Sequence, residues 1–199
     1  MSPPDHTLTD LARRIIDSAA PGTTYVVSID GPSGSGKTSF AEALRAQIEP
    51  ARTVGVVHVD EFVPGWERLA DVVPVLRDDI LGPLKRGDPP RARLWDWDAD
   101  QPGDWAPFDW ARAPRCDVLL VEGCASGSRP LAPYTDLLLW VDAPEAVRYE
   151  RAMSRDGAGY APWWDIWSRQ ERALYAQEGT AGRADVRLEA TADGWSVAQ

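Results

Sequence analysis

Gly31-Pro32-Ser33-Gly34-Ser35-Gly36-Lys37-Thr38 fits G-x-x-x-x-G-K-[ST] at every fixed position. An apolar run, Tyr25-Val26-Val27-Ser28-Ile29, precedes it, and a helical stretch from Phe40 to Ile48 follows. Strand, glycine-rich turn and helix in that order make a loop whose backbone N–H groups turn inward around a phosphate, backed by the positive end of the helix dipole. In this reading Gly31, Ser33, Gly34, Ser35, Gly36 and Ser39 belong to the cradle. Lys37 reaches the β- and γ-phosphates, and the Thr38 hydroxyl ligates Mg²⁺. The chain holds only two lysines, Lys37 and Lys85, and uses Arg at every other basic position. A chain so biased toward Arg keeps Lys where a slim point charge is needed and a planar fork does not fit.

With 199 residues the chain is long enough for one domain, 1–199, with a full core. Its 44% hydrophobic and 26% charged residues are those of an ordinary globular protein. A net charge of −10 excludes a general nucleic-acid or anionic-membrane surface, which needs a basic footprint. No apolar run reaches the length of a membrane span, and an N-terminus carrying Asp5 and Asp10 lacks signal-peptide character. Cys116 and Cys124 flank a strand, and eight extended residues separate them by about 26 Å, beyond disulfide reach. With no C-x-x-C pair and only His6 and His58 as histidines, no zinc site is expected. The expected compartment is the reducing cytoplasm.

Around the loop the pattern alternates. Leu8, Leu11, Ala12, Ile15 and Ala19 recur at helical spacing in an N-terminal segment, 1–22. Val54–Val59 is a second buried strand, ending at Asp60-Glu61-Phe62; acids at such a strand end sit where open α/β sheets bind ligands. Asp71 to Lys85 is helical. Trp and Asp then alternate through 91–112 about Pro102-Gly103, which predicts a hairpin or flap. Asp117–Gly123, Leu137–Asp142 and Asp185–Glu189 complete five strands. Helices are expected over Pro144–Arg155 and Pro162–Glu178, with 144–182 forming a lid and the helix after it. His58, inside a strand, reads as a hydrogen-bonded structural histidine, and Trp163, Trp164 and Trp167, at helical spacing, as core or lid packing. The expected fold is an α/β three-layer sandwich with a mainly parallel five-stranded sheet, helices on both faces and a substrate flap.

From about Tyr25 to the last strand the chain resembles the uridine kinase-like branch of P-loop kinases. The resemblance rests on Gly31–Thr38, Asp60-Glu61-Phe62, Trp95-Asp96-Trp97, Val121-Glu122-Gly123 and Arg148 to Asp156, in that order. It implies transfer of the γ-phosphoryl of ATP, with Mg²⁺, to a hydroxyl of a nucleoside-like small molecule. Asp60 would then accept the proton of the attacking hydroxyl, with Phe62 beside it. Glu122 would hold Mg²⁺ or its waters. Either carboxylate can serve as base, and Asp60 is favoured. Arg148, Arg151 and Arg155, at i, i+3 and i+7, resemble lid arginines that close over ATP and stabilise charge on the transferred group. Arg183 is a further candidate for adenine or phosphate. Trp95, Asp96 and Trp97 match the substrate motif, the acid for hydroxyls and the rings for stacking.

Two other readings stand beside this one. One is a kinase for another acceptor, such as an antibiotic, a vitamin or a sugar; the acid-rich flap (Asp96, Asp98, Asp100, Asp104) suits an amine-bearing one. A nucleotide-dependent switch without transferase activity is the other; the absence of an N-K-x-D motif argues against a GTPase. Oligomeric state is not legible in the chain, and a homodimer is compatible with it.

Overall fold

Strands apolar on both sides need cover on both faces, and the chain supplies it. The structure, a computed structural model, describes residues 6–111, 115–157, 161–191 and 194–198. The chain begins α1 (His6–Ser18), β1 (Tyr25–Asp30), α2 (Lys37–Ile48), β2 (Val54–His58), α3 (Val72–Pro74), α4 (Gly82–Arg86), β3 (Arg93–Asp96) and β4 (Gln101–Trp105). It continues β5 (Val118–Glu122), β6 (Leu137–Asp142), α5 (Glu145–Asp156), α6 (Ala161–Glu178), α7 (Thr180–Arg183), β7 (Val186–Thr191) and β8 (Gly194–Val197). The expected N-terminal segment, flap and lid extend over residues 1–5, Arg112 and 158–160, which lie outside the described residues.

The main sheet has the order β2-β5-β1-β6-β7-β8, parallel from β2 to β7. All five expected strands are present, within a residue or two of their expected ends. Beyond them, β8 pairs antiparallel with β7 at the edge. Sequence reading passed over this four-residue strand because its only bulky apolar residues are Trp195 and Val197. Trp195 packs edge-on against Phe40 of α2, with ring centroids 5.2 Å apart.

The two faces of the sheet carry separate cores. On one, Val27, Ile29, Val118, Leu120 and Leu139 pack with α1 and α2. On the other, Val26, Val57, Leu119 and Val121 pack with the helical run from Leu69 to Leu84 and with Trp167 and Leu174 of α6. Cys116 and Cys124 are buried free thiols.

That helical run departs from expectation. Between α3 and α4 it is a π-helix over Val75–Leu81, and the Gly82 N–H bonds back to the Arg77 carbonyl. Pro83 follows, with no N–H to give, and the wider turn accommodates it. A side chain at Gly82 would stand 2.6 Å from that same carbonyl oxygen. The flap is the antiparallel hairpin β3-β4, a small sheet of its own. Among the described residues, no helix is long and apolar enough to cross a membrane.

Leu120 lies fully buried in β5, between β1 and β2. Leu120→Ala is expected to lower stability by about 2–5 kcal/mol. A urea midpoint within error of wild type would contradict the sheet order.

Candidate active site

Register places the site. Ile29 of β1 and His58 of β2 both pair with Glu122 of β5, so the carboxyl ends of three neighbouring strands stand level. From them leave the glycine-rich loop, the 3-10 turn Val59–Phe62, and Gly123-Cys124. In a sheet whose crossovers run to both sides of β1, this is where ligands bind.

A buried carboxylate sets the loop's entrance. Asp30 ends β1, and its Oδ1 accepts the N–H of Gly31 (2.7 Å) and Ala125 (3.1 Å) while its Oδ2 accepts that of Gly127 (2.8 Å). The Tyr175 hydroxyl lies 2.9 Å from Oδ1 and 2.8 Å from the Gly31 carbonyl. Burial pushes the Asp30 carboxyl up to about 6, against the pull of these donors.

The loop itself is gripped from outside. Arg148 of α5 donates to the Ser33 carbonyl (3.3 Å), and Arg151 approaches that of Ser35 (3.5 Å). Gly34 has φ +76°, and a Cβ there would stand 2.2 Å from the Arg148 carbonyl oxygen, so only glycine permits this approach. Gly36, at φ +96°, immediately precedes α2, whose first residue is Lys37. Ser35 is buried inside the loop, and Ser39 is exposed on the first turn of α2. Lys37 is buried, with its ammonium 3.0 Å from the Pro32 carbonyl and 3.7 Å from the Cys124 sulfur. Burial works against its charge. The Glu171 and Glu122 carboxylates outweigh that, and its pKa stands above the ordinary lysine value.

Thr38, Glu122 and His58 form a line. The Thr38 hydroxyl is 3.3 Å from each Glu122 oxygen, and His58 Nδ1 is 2.7 Å from Glu122 Oε1. His58 is hydrogen-bonded, as expected of it; it is also half-buried, lines the cleft, and its partner is a site acid. Its hydrogen bond to Glu122 raises its pKa. Asp60 is exposed at the cleft but crowded on most sides; desolvation first, then the Glu122 charge, raises its carboxyl. The Trp97 indole donates to the Asp60 carbonyl at 3.2 Å and so ties the flap to this turn.

These groups open onto a cavity of about 900 Å³. Its wall takes in Ser33, Gly34, Lys37, Thr38, His58, Asp60, Glu61, Glu122 and Arg155, with Trp66, Trp97, Asp98, Trp163 and Trp167 facing them. Trp66 stacks on Trp163, centroids 5.3 Å apart, and meets Trp97 at 4.7 Å. Of the three expected lid arginines, Arg155 lines the cavity, whereas Arg148 and Arg151 reach the loop carbonyls of Ser33 and Ser35.

Four sequence candidates lie elsewhere. The Asp96 carboxylate accepts the N–H of Asp98 and Ala99, capping its own hairpin turn. Trp95 is not in the cavity wall; its ring lies near Gly65. Phe62 is buried and stacked on Phe108. Arg183 donates to the carbonyls of Glu178 (3.0 Å) and Gly127 (2.6 Å), so its guanidinium serves the loop after β5.

The oxygen donors suit Mg²⁺. Thr38 and Glu122 offer a hydroxyl and a carboxylate side by side, the sparse set such an ion takes when substrate phosphates and water complete its shell. Among the described residues no cluster of three or more His, Cys, Asp or Glu could enclose a metal.

Sequence reading missed Asp30, Glu171 and Tyr175. Asp30 and Glu171 were legible in principle, the first as an acid closing a buried strand and the second as an acid at helical spacing from Trp164, Trp167 and Leu174 on α6. A charge there needs partners.

No protein-family model matches the chain, and no curated protein sequence does. Solved structures do share the fold. One is a possible uridine kinase from Bacillus stearothermophilus, 19% identical, with a TM-score of 0.62 over 92% of this chain and 97% of that one. A protein from Silicibacter sp. TM1040, provisionally described as a fructose transport system kinase, is 18% identical, with a TM-score of 0.57 over 89% and 94%. The YGR205w protein is 13% identical, with a TM-score of 0.53 over 92% and 91%. The chain thus shares the fold of these solved structures, a mainly parallel α/β sandwich such as its strand and helix pattern led one to expect.

Asp30 yields a prediction with a definite sign. A carboxyl whose folded pKa lies above its unfolded value of 3.8 adds most stability at low pH and loses it as pH rises toward 6. Asp30→Asn removes that dependence and sets an amide N–H₂ against a backbone N–H. The variant is expected to be less stable by about 1–3 kcal/mol at pH 7. The deficit should widen when urea unfolding is repeated at pH 4.5, and an equal deficit at both would contradict the raised pKa.

Proposed function

We propose that this chain is an ATP-dependent small-molecule kinase that transfers the γ-phosphoryl group to a hydroxyl of a nucleoside-like acceptor. The observation that carries the reading is one cavity walled by the glycine-rich loop, Lys37, Thr38, Glu122 and Asp60 on one side and by tryptophans on the other. ATP would supply the phosphoryl group, and Thr38 and Glu122 would hold Mg²⁺, which would offset the charge of the phosphates. The loop amides and Lys37 hold the phosphates. Arg155, on the cavity wall, offsets charge spreading on the transferred group. Asp60 orients the acceptor hydroxyl and takes its proton, a task helped by a carboxyl pKa above the usual range. The tryptophan wall excludes water and offers flat faces to a ring. On the acceptor side Trp97 and Asp98 are the flap residues we assign to substrate, in place of Trp95 and Asp96. We assign the whole chain to a single kinase domain.

A second reading is favoured by the acids of the same wall. Once Glu122 and Asp60 have their tasks, Glu61 and Asp98 remain beside four indoles. Carboxylates and aromatic faces together recognise an amine. An amine-bearing hydroxylated metabolite or antibiotic then replaces the neutral nucleoside. Glu61→Gln separates the two: the KM of an amine-bearing acceptor should rise about fivefold, as for one partly exposed ion pair. An unchanged value, with neutral nucleosides turned over, would favour the first reading.

Lys37→Ala is expected to reduce ATP turnover about 100-fold or more. Asp60→Asn should leave the ATP-analogue Kd within twofold by calorimetry and slow transfer about 100-fold or more. A near-normal rate in Asp60→Asn would pass the role of base to Glu122. ATP consumption indifferent to any acceptor would instead favour a nucleotide-dependent switch.

A further inference from the structure

Glu171, on α6, is only 2% exposed, and the reaction outlined above gives it no task. One of its oxygens, Oε1, accepts three hydrogen bonds: from the Ser33 backbone N–H at 2.7 Å, the Trp167 indole at 2.9 Å and the Cys124 thiol at 3.1 Å. The three donors belong to different parts of the site. Ser33 is in the phosphate loop, and Trp167 is in the cavity wall against Trp66 and Trp97. Cys124 follows the strand that carries Glu122, and its sulfur in turn faces the Lys37 ammonium at 3.7 Å. Burial pushes the Cys124 pKa up to about 12, so at neutral pH it is a thiol with a proton to donate.

An ionised carboxylate out of contact with water is costly unless such bonds compensate. Here they come from both substrate-facing sides of the cavity. Moving Trp167 relative to α6 disturbs the bond that holds Ser33, and the reverse is equally true, because both bonds share an acceptor atom. Gln at 171 keeps the shape but offers a weaker, neutral acceptor.

We propose that Glu171 is a positioning residue that couples the tryptophan wall of the acceptor chamber to the phosphate loop, so that changes at Trp167 are felt as changes in nucleotide affinity. This rests on the reading of the loop as an ATP site and goes beyond it by linking the two halves of the cavity energetically.

The test is a double-mutant cycle on binding of a non-hydrolysable ATP analogue with Mg²⁺, measured by calorimetry on the full chain. Trp167→Phe keeps the ring and removes the indole donor. It is expected to weaken analogue binding at least threefold in the wild-type background and to have a clearly smaller effect beside Glu171→Gln, whose neutral oxygen holds both donors more weakly. A merely structural Trp167 would change the acceptor KM or the melting temperature and leave the analogue Kd unmoved. Equal effects of Trp167→Phe in both backgrounds, or no effect in either, would overturn the coupling. Failure of the wild-type chain to bind the analogue would sink the ATP reading as well. Should Glu171→Gln fold poorly, Cys124→Ala removes another donor to the same oxygen. Coupling then predicts that Trp167→Phe and Cys124→Ala are non-additive in analogue Kd, and strict additivity refutes it.

Discussion

The architecture depends on the Asp30 carboxylate. A parallel sheet delivers the ends of β1, β5 and β2 side by side, but nothing in backbone pairing fixes what the chain does on leaving them. Asp30 fixes it by accepting N–H groups from Gly31, which opens the glycine-rich loop, and from Ala125 and Gly127, beyond β5. Two loops far apart in sequence are thereby bound to one buried charge. Its burial is costly, which is why its pKa is raised, and the bonds it makes are what allow the charge to exist there.

From that anchor the site is built outward in shells of backbone contact. Arg148 and Arg151 reach the Ser33 and Ser35 carbonyls, Glu171 holds the Ser33 amide, and Tyr175 spans Asp30 and the Gly31 carbonyl. The helices after β6 therefore brace the loop as well as roofing the cavity. Such bracing fixes the course of the loop backbone through contacts from α5 and α6.

The strands and most helices were legible because buried parallel strands leave unbroken apolar runs and amphipathic helices leave a 3.6-residue period. The loop was legible because its chemistry is local: Gly34 must be glycine, and Lys37 stands nearly alone among arginines. What escaped depends on long-range contact. Sequence order could not tell that Asp96 turns back on its own hairpin while Asp98 reaches the cavity, or that His58 at a strand end meets Glu122 rather than the core. The π-helix over Val75–Leu81 was hidden for another reason: its apolar spacing passes for α, and only the Gly82-Pro83 pair marks the wider turn.

The central claim is that a triphosphate held by the loop gives its terminal group to an alcohol in the tryptophan-walled cavity. It is tested most directly by incubating the chain with γ-labelled ATP, Mg²⁺ and a panel of nucleosides and amine-bearing alcohols, then locating the label by mass spectrometry. The label is expected in a phosphoester of one acceptor class. Label found only in inorganic phosphate, released at the same rate with and without acceptors, would contradict it.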